Sequence, residues 1–264
     1  MPPRNYSPQS FGATLASFRS AANPRLTQRA LANPALGLSS SYLAMLERED
    51  RQSKGQKLTR EQIWYLIRRL GIWPPVTDDF LTKAGHSTDR SDDEERYIQE
   101  NMEFTELWVF ARQVVDTTEK WTEVVRKNLN RGIRYIYFTE ESGEIYVQNL
   151  LDRLLKGGLS EEFLEKNLEC YSLPSQMFVT NFAIYVRPKP ASHYGCGTKL
   201  EEGMAESFFT MKGSETTRLH ELLRGLQQHC LGNKVIKLDP MTRFFPNSRS
   251  TQQANFTSFT PTSK

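Results

Sequence analysis

The hydrophobic period of this 264-residue chain changes once, near residue 100, and a fold must accommodate both periods. Up to about Leu81 the apolar residues recur at three- and four-residue spacing, as on one face of a helix. Phe11, Leu15 and Phe18 share such a face. "LTREQIWYLIRRLGI" puts Ile63, Leu66, Ile67 and Leu70 on one stripe, with Thr59 as a cap and Gly71 as a stop. A last helix, "TDDFLTKAGH", starts at a Thr/Asp cap after Pro74-Pro75. That spacing predicts about five helices and no strand. The stretch 86–96, "HSTDRSDDEER", has no large apolar residue and reads as the start of a linker.

Beyond it, runs rich in β-branched and aromatic residues alternate with amphipathic ones. "ELWVFA" (106–111), "IRYIYFT" (133–139) and "AESFFTMK" (205–212) read as strands. "QMFVTNFAIYVRP" (176–188) reads as one bent strand, or a hairpin turning near Thr180-Asn181. Residues 119–132, 144–158, 160–171 and 213–232 read as helices, the last with Leu219, Leu222, Leu223 and Leu226 inward. In "IRYIYF" alternation puts Tyr135 and Tyr137 on one face and Ile136 and Phe138 on the other; most of these aromatics, with Trp108, Phe110 and Trp121, belong to a core. One face is a candidate lining for a ligand cleft at the strand ends. The fold class is therefore an all-α five-helix N-terminal domain (10–85), a linker (86–100) and an α/β domain built on a βαβ sheet (101–240). Residues 1–9 and the Ser/Thr/Gln/Asn-rich tail 241–264 read as disordered, and no internal repeat is visible.

Composition narrows the function classes. With 38% hydrophobic and 25% charged residues the chain can bury a core. No apolar run is long enough to cross a bilayer, and "MPPRNYSPQS" lacks the apolar centre of a signal peptide. Cys170, Cys196 and Cys230 are odd in number and far apart, which argues against a disulfide framework and for a reducing, cytoplasmic setting. The net charge of +3 is uneven. Residues 1–90 hold 13 Lys and Arg against 7 Asp and Glu, a net +6; the remainder is net −3. A basic first third suits a nucleic-acid-binding module.

Within that third, "LTQRALANPALGLSSSYLAMLERED" (26–50) describes two short helices around a corner. Leu26-Thr27-Gln28, Leu31-Ala32, Leu36-Gly37-Leu38-Ser39, Ser41-Tyr42-Leu43 and Leu46-Glu47-Arg48 resemble the helix-turn-helix of the Cro/CI, or Xre, family of bacterial and phage repressors, a likeness extending over about residues 11–84. Gly37 would permit the sharp corner, Ser39 would cap the second helix, and Leu38, Leu43 and Leu46 would pin it. The resemblance implies that Ser40, Ser41 and Met45 face the major groove of double-stranded DNA, and that Gln28 grips a phosphate at a helix N-terminus. Tyr42 would add a phosphate contact, and Arg48, Arg51, Lys54 and Lys57 would approach the backbone. One departure stands out. The family has two residues between the positions of Ala32 and Leu36; here there are three, Asn33-Pro34-Ala35, so the first helix should end early with a longer corner.

The second half offers less chemistry. Residues 104–140 resemble, in outline, the first strand–helix–strand of phospholipase-D-like domains. That superfamily's His-x-Lys signature is absent: His193 is followed by Tyr194-Gly195 and His220 by Glu221-Leu222, so no phosphodiesterase activity is expected. His193 with Cys196, and His229 with Cys230, lack zinc spacing; no metal, cofactor or catalytic residue is expected, "GCG" (195–197) reads as a flexible loop, and Cys230 as a helix-end core residue. The expectation is a sequence-specific transcription regulator, a repressor in the cytoplasm with the nucleoid, acting as a homodimer because one recognition helix covers few base pairs. Its α/β part would dimerise it, sense a small-molecule effector, or both. The alternatives are a phosphoester- or nucleotide-processing enzyme with a helical targeting arm, and a protein-interaction adaptor.

Overall fold

The early helices begin and end where the sequence punctuates them. In the computed structural model, which describes residues 10–22, 24–48, 58–112, 118–188, 193–199, 207–211 and 213–230, α1 is Phe11–Ala21, with the Ser10 hydroxyl accepting from the Ala13 amide. Helix α2 is Gln28–Leu31, α3 is Ser40–Glu47 and α4 is Arg60–Leu70. Thr59 and Gln62 form a reciprocal capping box at the start of α4, and Gly71 ends it at φ 60°. Helix α5, Val76–Lys83, departs from expectation. The two candidate caps are otherwise engaged: the Thr77 hydroxyl donates to the Ile72 carbonyl (3.0 Å), and Asp78 is paired with Arg90. The helix therefore starts without a side-chain cap, one residue earlier.

The polar stretch expected to be a linker is instead a pinned element. Ser91 and Glu94 form a second capping box, and α6 runs over Asp92–Asn101 with four acids in its first turn, where the helix dipole favours them. Glu94 also takes a two-pronged bond from Arg60 of α4 (2.7 and 2.7 Å). Sequence polarity reads as solvent exposure, but here the polar groups satisfy one another.

Residues 106–211 contribute a six-stranded mixed sheet: β1 (Glu106–Phe110), β2 (Arg134–Glu140), β3 (Leu168–Leu173), β4 (Thr180–Val186), β5 (Tyr194–Lys199) and β6 (Ser207–Met211). The spatial order is β3-β2-β1-β4-β5-β6, with β1, β2 and β3 parallel and the other pairs antiparallel. Parallel neighbours need crossovers, supplied by α7 (Glu119–Asn130), then α8 (Glu144–Lys156) and α9 (Glu161–Asn167). Helix α10, Gly213–His229, follows β6.

Several expectations for this half are revised. The expected helix 160–171 stops at Asn167, and Leu168–Leu173 is β3, because its run of alternating buried residues completes the sheet beside β2. Of the two readings of 176–188 the single strand holds, over 180–186, and no hairpin turns at Thr180-Asn181. "GCG", read as a loop, lies inside β5, where its small residues make room: a side chain on Gly197 would overlap the Asn181 carbonyl oxygen and press on Phe182.

The β2 alternation holds, and its consequence is two cores. Tyr135 and Tyr137 join Val125, Leu129, Val147, Leu150 and Leu154 of the crossover helices, in a cluster that runs on without a break through Ile98, Leu81, Phe80 and Leu43 to Leu15 and Phe11. Ile136 and Phe138 face the other way, with Trp108, Phe110, Tyr171 and Ile184, under Leu223 and Cys230 at the α10 side. All four β2 residues are fully buried, so neither face of this strand lines a cleft as had been expected. On α10, Leu223 is buried but Leu222, expected inward, is 62% exposed; one position along a helix is a 100° rotation. No helix among the described residues is long and apolar enough to cross a membrane.

Candidate nucleic-acid interface

The corner at 32–39 is built by proline and glycine together. The Thr27 hydroxyl accepts from the Ala30 amide (3.1 Å) and opens α2. Four residues later the helix stops: Ala32 is extended, Asn33 bridges Leu38 in both directions (2.7 and 3.0 Å), and Pro34–Leu36 makes one 3-10 turn. This is the early stop and longer corner that the extra residue implied. Gly37 then takes φ 69°, which costs a residue with a side chain about 1–2 kcal/mol. Gln62 of α4 holds the corner, donating to the Leu36 carbonyl (2.7 Å). The Ser39 hydroxyl accepts from the Tyr42 amide (3.0 Å), capping α3. Leu31, Leu38 and Leu43 are fully buried and Leu46 nearly so, which fixes the roll of α3 about its axis.

A knot of polar side chains that sequence reasoning missed locks the same roll. Glu47, on the inner side of α3, accepts from Arg19 of α1 in a two-pronged pair (2.6 and 2.7 Å) and from the Gln28 amide of α2 (2.8 Å). Arg19 also donates to the Leu26 carbonyl (3.0 Å). Burial pushes the Glu47 carboxyl up, but the bonds from Arg19 and Gln28 and the Arg19 charge outweigh it and hold the pKa below its ordinary value. The carboxylate bond raises the Arg19 pKa in turn. The signal for this knot was present: Arg19 is four residues after Leu15 and so shares the inward face of α1. At Gly12 the two helices approach so closely that a side chain would overlap the Leu46 carbonyl oxygen.

Gln28, expected to grip a phosphate, thus has one amide N–H committed to Glu47, and its reach toward a ligand is set by that anchor. Tyr42 is half-buried against the core, and burial raises its hydroxyl pKa. Ser39, Ser40, Ser41 and Arg48 are exposed, and Met45 is 43% exposed. Arg51, Lys54 and Lys57 lie outside the described residues. Arg25 and Arg29, not singled out by sequence, are exposed beside α2, where Arg69 of α4 donates to the Ala30 carbonyl (3.3 Å). The only acid in α3 is Glu47, and it points inward. Among the described residues, the outer face of α3 therefore carries hydroxyls and one thioether, with Arg48 at its end and no carboxylate.

Two other polar clusters could compete as functional sites. Between helices and sheet, Arg90 (side chain 1% exposed) pairs with Asp78 of α5 and with Glu95 of α6 (3.0 Å). Tyr185 of β4 donates to Glu95 (2.5 Å), and Tyr194 of β5 donates to Asp78 (3.5 Å). Burial raises the Asp78 pKa despite Arg90, and it raises both tyrosines and the Cys196 thiol. This group seals the seam between helices and sheet. Beneath α10, His193 and His220 stack edge to face (5.3 Å), with His220 Nε2 4.0 Å from Glu106 Oε2 and without a hydrogen-bond partner. The His193 Nδ1 accepts from the Arg187 amide (3.2 Å), so in the neutral ring the proton sits on Nε2. No group of three His, Cys, Asp or Glu among the described residues could hold a metal ion. A groove of about 310 Å³ lined by Arg68, Asp93, Arg96, Tyr97 and Glu100 has mixed charge and little apolar wall. No protein-family model matches the chain, and no curated protein sequence matches it.

Proposed function

We propose that the protein is a sequence-specific DNA-binding regulator of transcription, with residues 10–85 as a Cro/CI-type helix-turn-helix domain followed by an α/β domain. The observation that carries this reading is the outer face of α3. A helix capped by Ser39, rolled by three buried leucines and the Arg19–Glu47–Gln28 knot, holds out Ser40, Ser41, Met45 and Arg48 with no acid among them. An adaptor helix that docks on protein would be expected to offer an apolar ridge; exposed hydroxyls with an arginine at the helix end suit base edges and phosphates. In this reading Arg25, Arg29 and Arg48 neutralise phosphates, while Ser40 and Ser41 touch base edges. A single eight-residue helix reads only a few base pairs, so the operator is bound by two copies on half-sites about one helical turn apart. Occupancy of that operator represses transcription, which places the protein with the nucleoid in the cytoplasm.

The test is a titration of a duplex from upstream of the protein's own gene, followed by fluorescence anisotropy from low to high salt. Three phosphate contacts per copy predict a log–log slope of about −3 per bound copy. An affinity that does not change with salt would overturn DNA binding and leave the adaptor.

A further inference from the structure

Met45 is the large aliphatic side chain that α3 leaves exposed. The other large aliphatic side chains of α3, Leu43 and Leu46, are 0% and 8% exposed, whereas Met45 is 43% exposed. It stands one turn after Ser41, so the two side chains share a face. That face is held outward rigidly, because Glu47 is tied inward by Arg19 and Gln28 and the α1 backbone touches α3 at Gly12. Met45 therefore cannot roll into the core without breaking the knot.

A major groove presents one kind of apolar group among its acceptors and donors: the methyl on C5 of a pyrimidine. A thioether is flexible and polarisable, and fits such a methyl without needing a fixed rotamer. It cannot donate a hydrogen bond, so it cannot read the carbonyl and ring-nitrogen acceptors of the neighbouring bases, and as a weak acceptor it reads their amino groups poorly. Resting on the DNA-binding reading above, we infer that Met45 is a specificity-determining residue that reads the C5-methyl group of a pyrimidine in the operator half-site. Two bases carry that methyl, thymine and 5-methylcytosine. Ser41, one turn earlier on the same face, contacts the adjacent base, so the discrimination by methyl and by hydroxyl falls on neighbouring positions.

The experiment uses the full-length protein and a duplex enriched from a random pool by repeated binding. Each thymine is replaced in turn by uracil, which deletes only the methyl, and affinities are measured for the wild type, Met45→Ala and Met45→Gln. Burying one methyl group is worth about a fourfold change in affinity. One uracil position per half-site should lose about fourfold with the wild type and lose nothing with Met45→Ala or Met45→Gln. At that position, comparison of cytosine with 5-methylcytosine shows whether the methyl alone is read: a gain with 5-methylcytosine assigns the site to any C5-methylpyrimidine, and no gain assigns it to thymine. If the duplex binds and every uracil is neutral, or the loss persists in both variants, the role of Met45 is overturned while DNA binding stands. If no sequence is enriched, DNA-specific binding falls and this inference falls with it. Because Met45 is exposed, both variants should keep the wild-type melting temperature, and a shared drop in affinity on every duplex together with a lowered melting temperature would count against it as well.

Discussion

The helices at 10–85 and the sheet at 106–211 share one apolar cluster but differ in what fixes the orientation of their elements. The helical part holds short elements, one of four residues and two of eight, that could not persist alone. Beside its buried leucines and phenylalanines, it uses caps at Ser10, Thr27, Ser39 and Thr59, one left-handed glycine at the corner, and the Arg19–Glu47–Gln28 knot. The sheet relies on apolar burial on both faces, with Tyr135, Ile136, Tyr137 and Phe138 all fully buried in succession. Directional bonds specify orientation, which a reading surface needs. Apolar burial supplies mass stability, which a platform needs.

That contrast orders the expected losses. Phe138→Ala, which empties the α10 side of the sheet where Phe138 stacks with Tyr171 and Trp108, should cost about 3–5 kcal/mol in urea unfolding. A loss below about 1 kcal/mol would show that the platform is not held by its apolar faces. Arg90→Met should cost about 3 kcal/mol by leaving Asp78 buried without its counter-charge, and the further change Asp78→Leu should recover part of it. Gly37→Ala should cost about 1 kcal/mol in stability, read as a lower melting temperature.

The smallest effect is pH dependence. Burial lowers the pKa of His193, and burial with the neighbouring His193 lowers that of His220. A histidine whose folded pKa is depressed binds protons more readily when unfolded. Its contribution is complete above the ordinary value, about 6.5, and is lost as pH falls through the folded-state pKa. Glu106, at 4.0 Å from His220, works against the loss, and Arg224 adds to it. The melting temperature should therefore fall as pH drops from 7 toward 5, and the fall should be smaller in His220→Gln. Glu47 acts in the same direction at lower pH, since its depressed pKa makes the knot fail only on strong acidification.

Local chemistry made the helical part legible. Thr27, Ser39, Thr59, Gly37 and Gly71 act where their residue types say they should, and the extra residue in Asn33-Pro34-Ala35 shortened α2 as its proline required. The larger failures concern residues whose role is set by distant partners. The stretch 86–96 looked like linker because nothing nearby in sequence announces that Glu94 meets Arg60, Glu95 meets Tyr185, or Arg90 is buried against Asp78. Residues 168–171 looked helical because their strand partner is β2, more than thirty residues away. Gly195 and Gly197 looked flexible, but their smallness serves β4 and β6 on either side. For the candidate site, the resemblance implied outward places for Ser40, Ser41, Met45 and Arg48, whereas the knot that aims them was missed although Arg19 lies on the inward face of α1.

The central claim is that the outer face of α3 reads DNA sequence. The most direct test compares wild type with the double variant Ser40→Ala/Ser41→Ala on an enriched duplex and on its scrambled counterpart, at one fixed salt concentration. The account predicts that the wild type prefers the enriched duplex, and that the double variant loses about tenfold or more of that preference while binding scrambled DNA as before. An unchanged preference in the double variant would mean that some other surface does the reading.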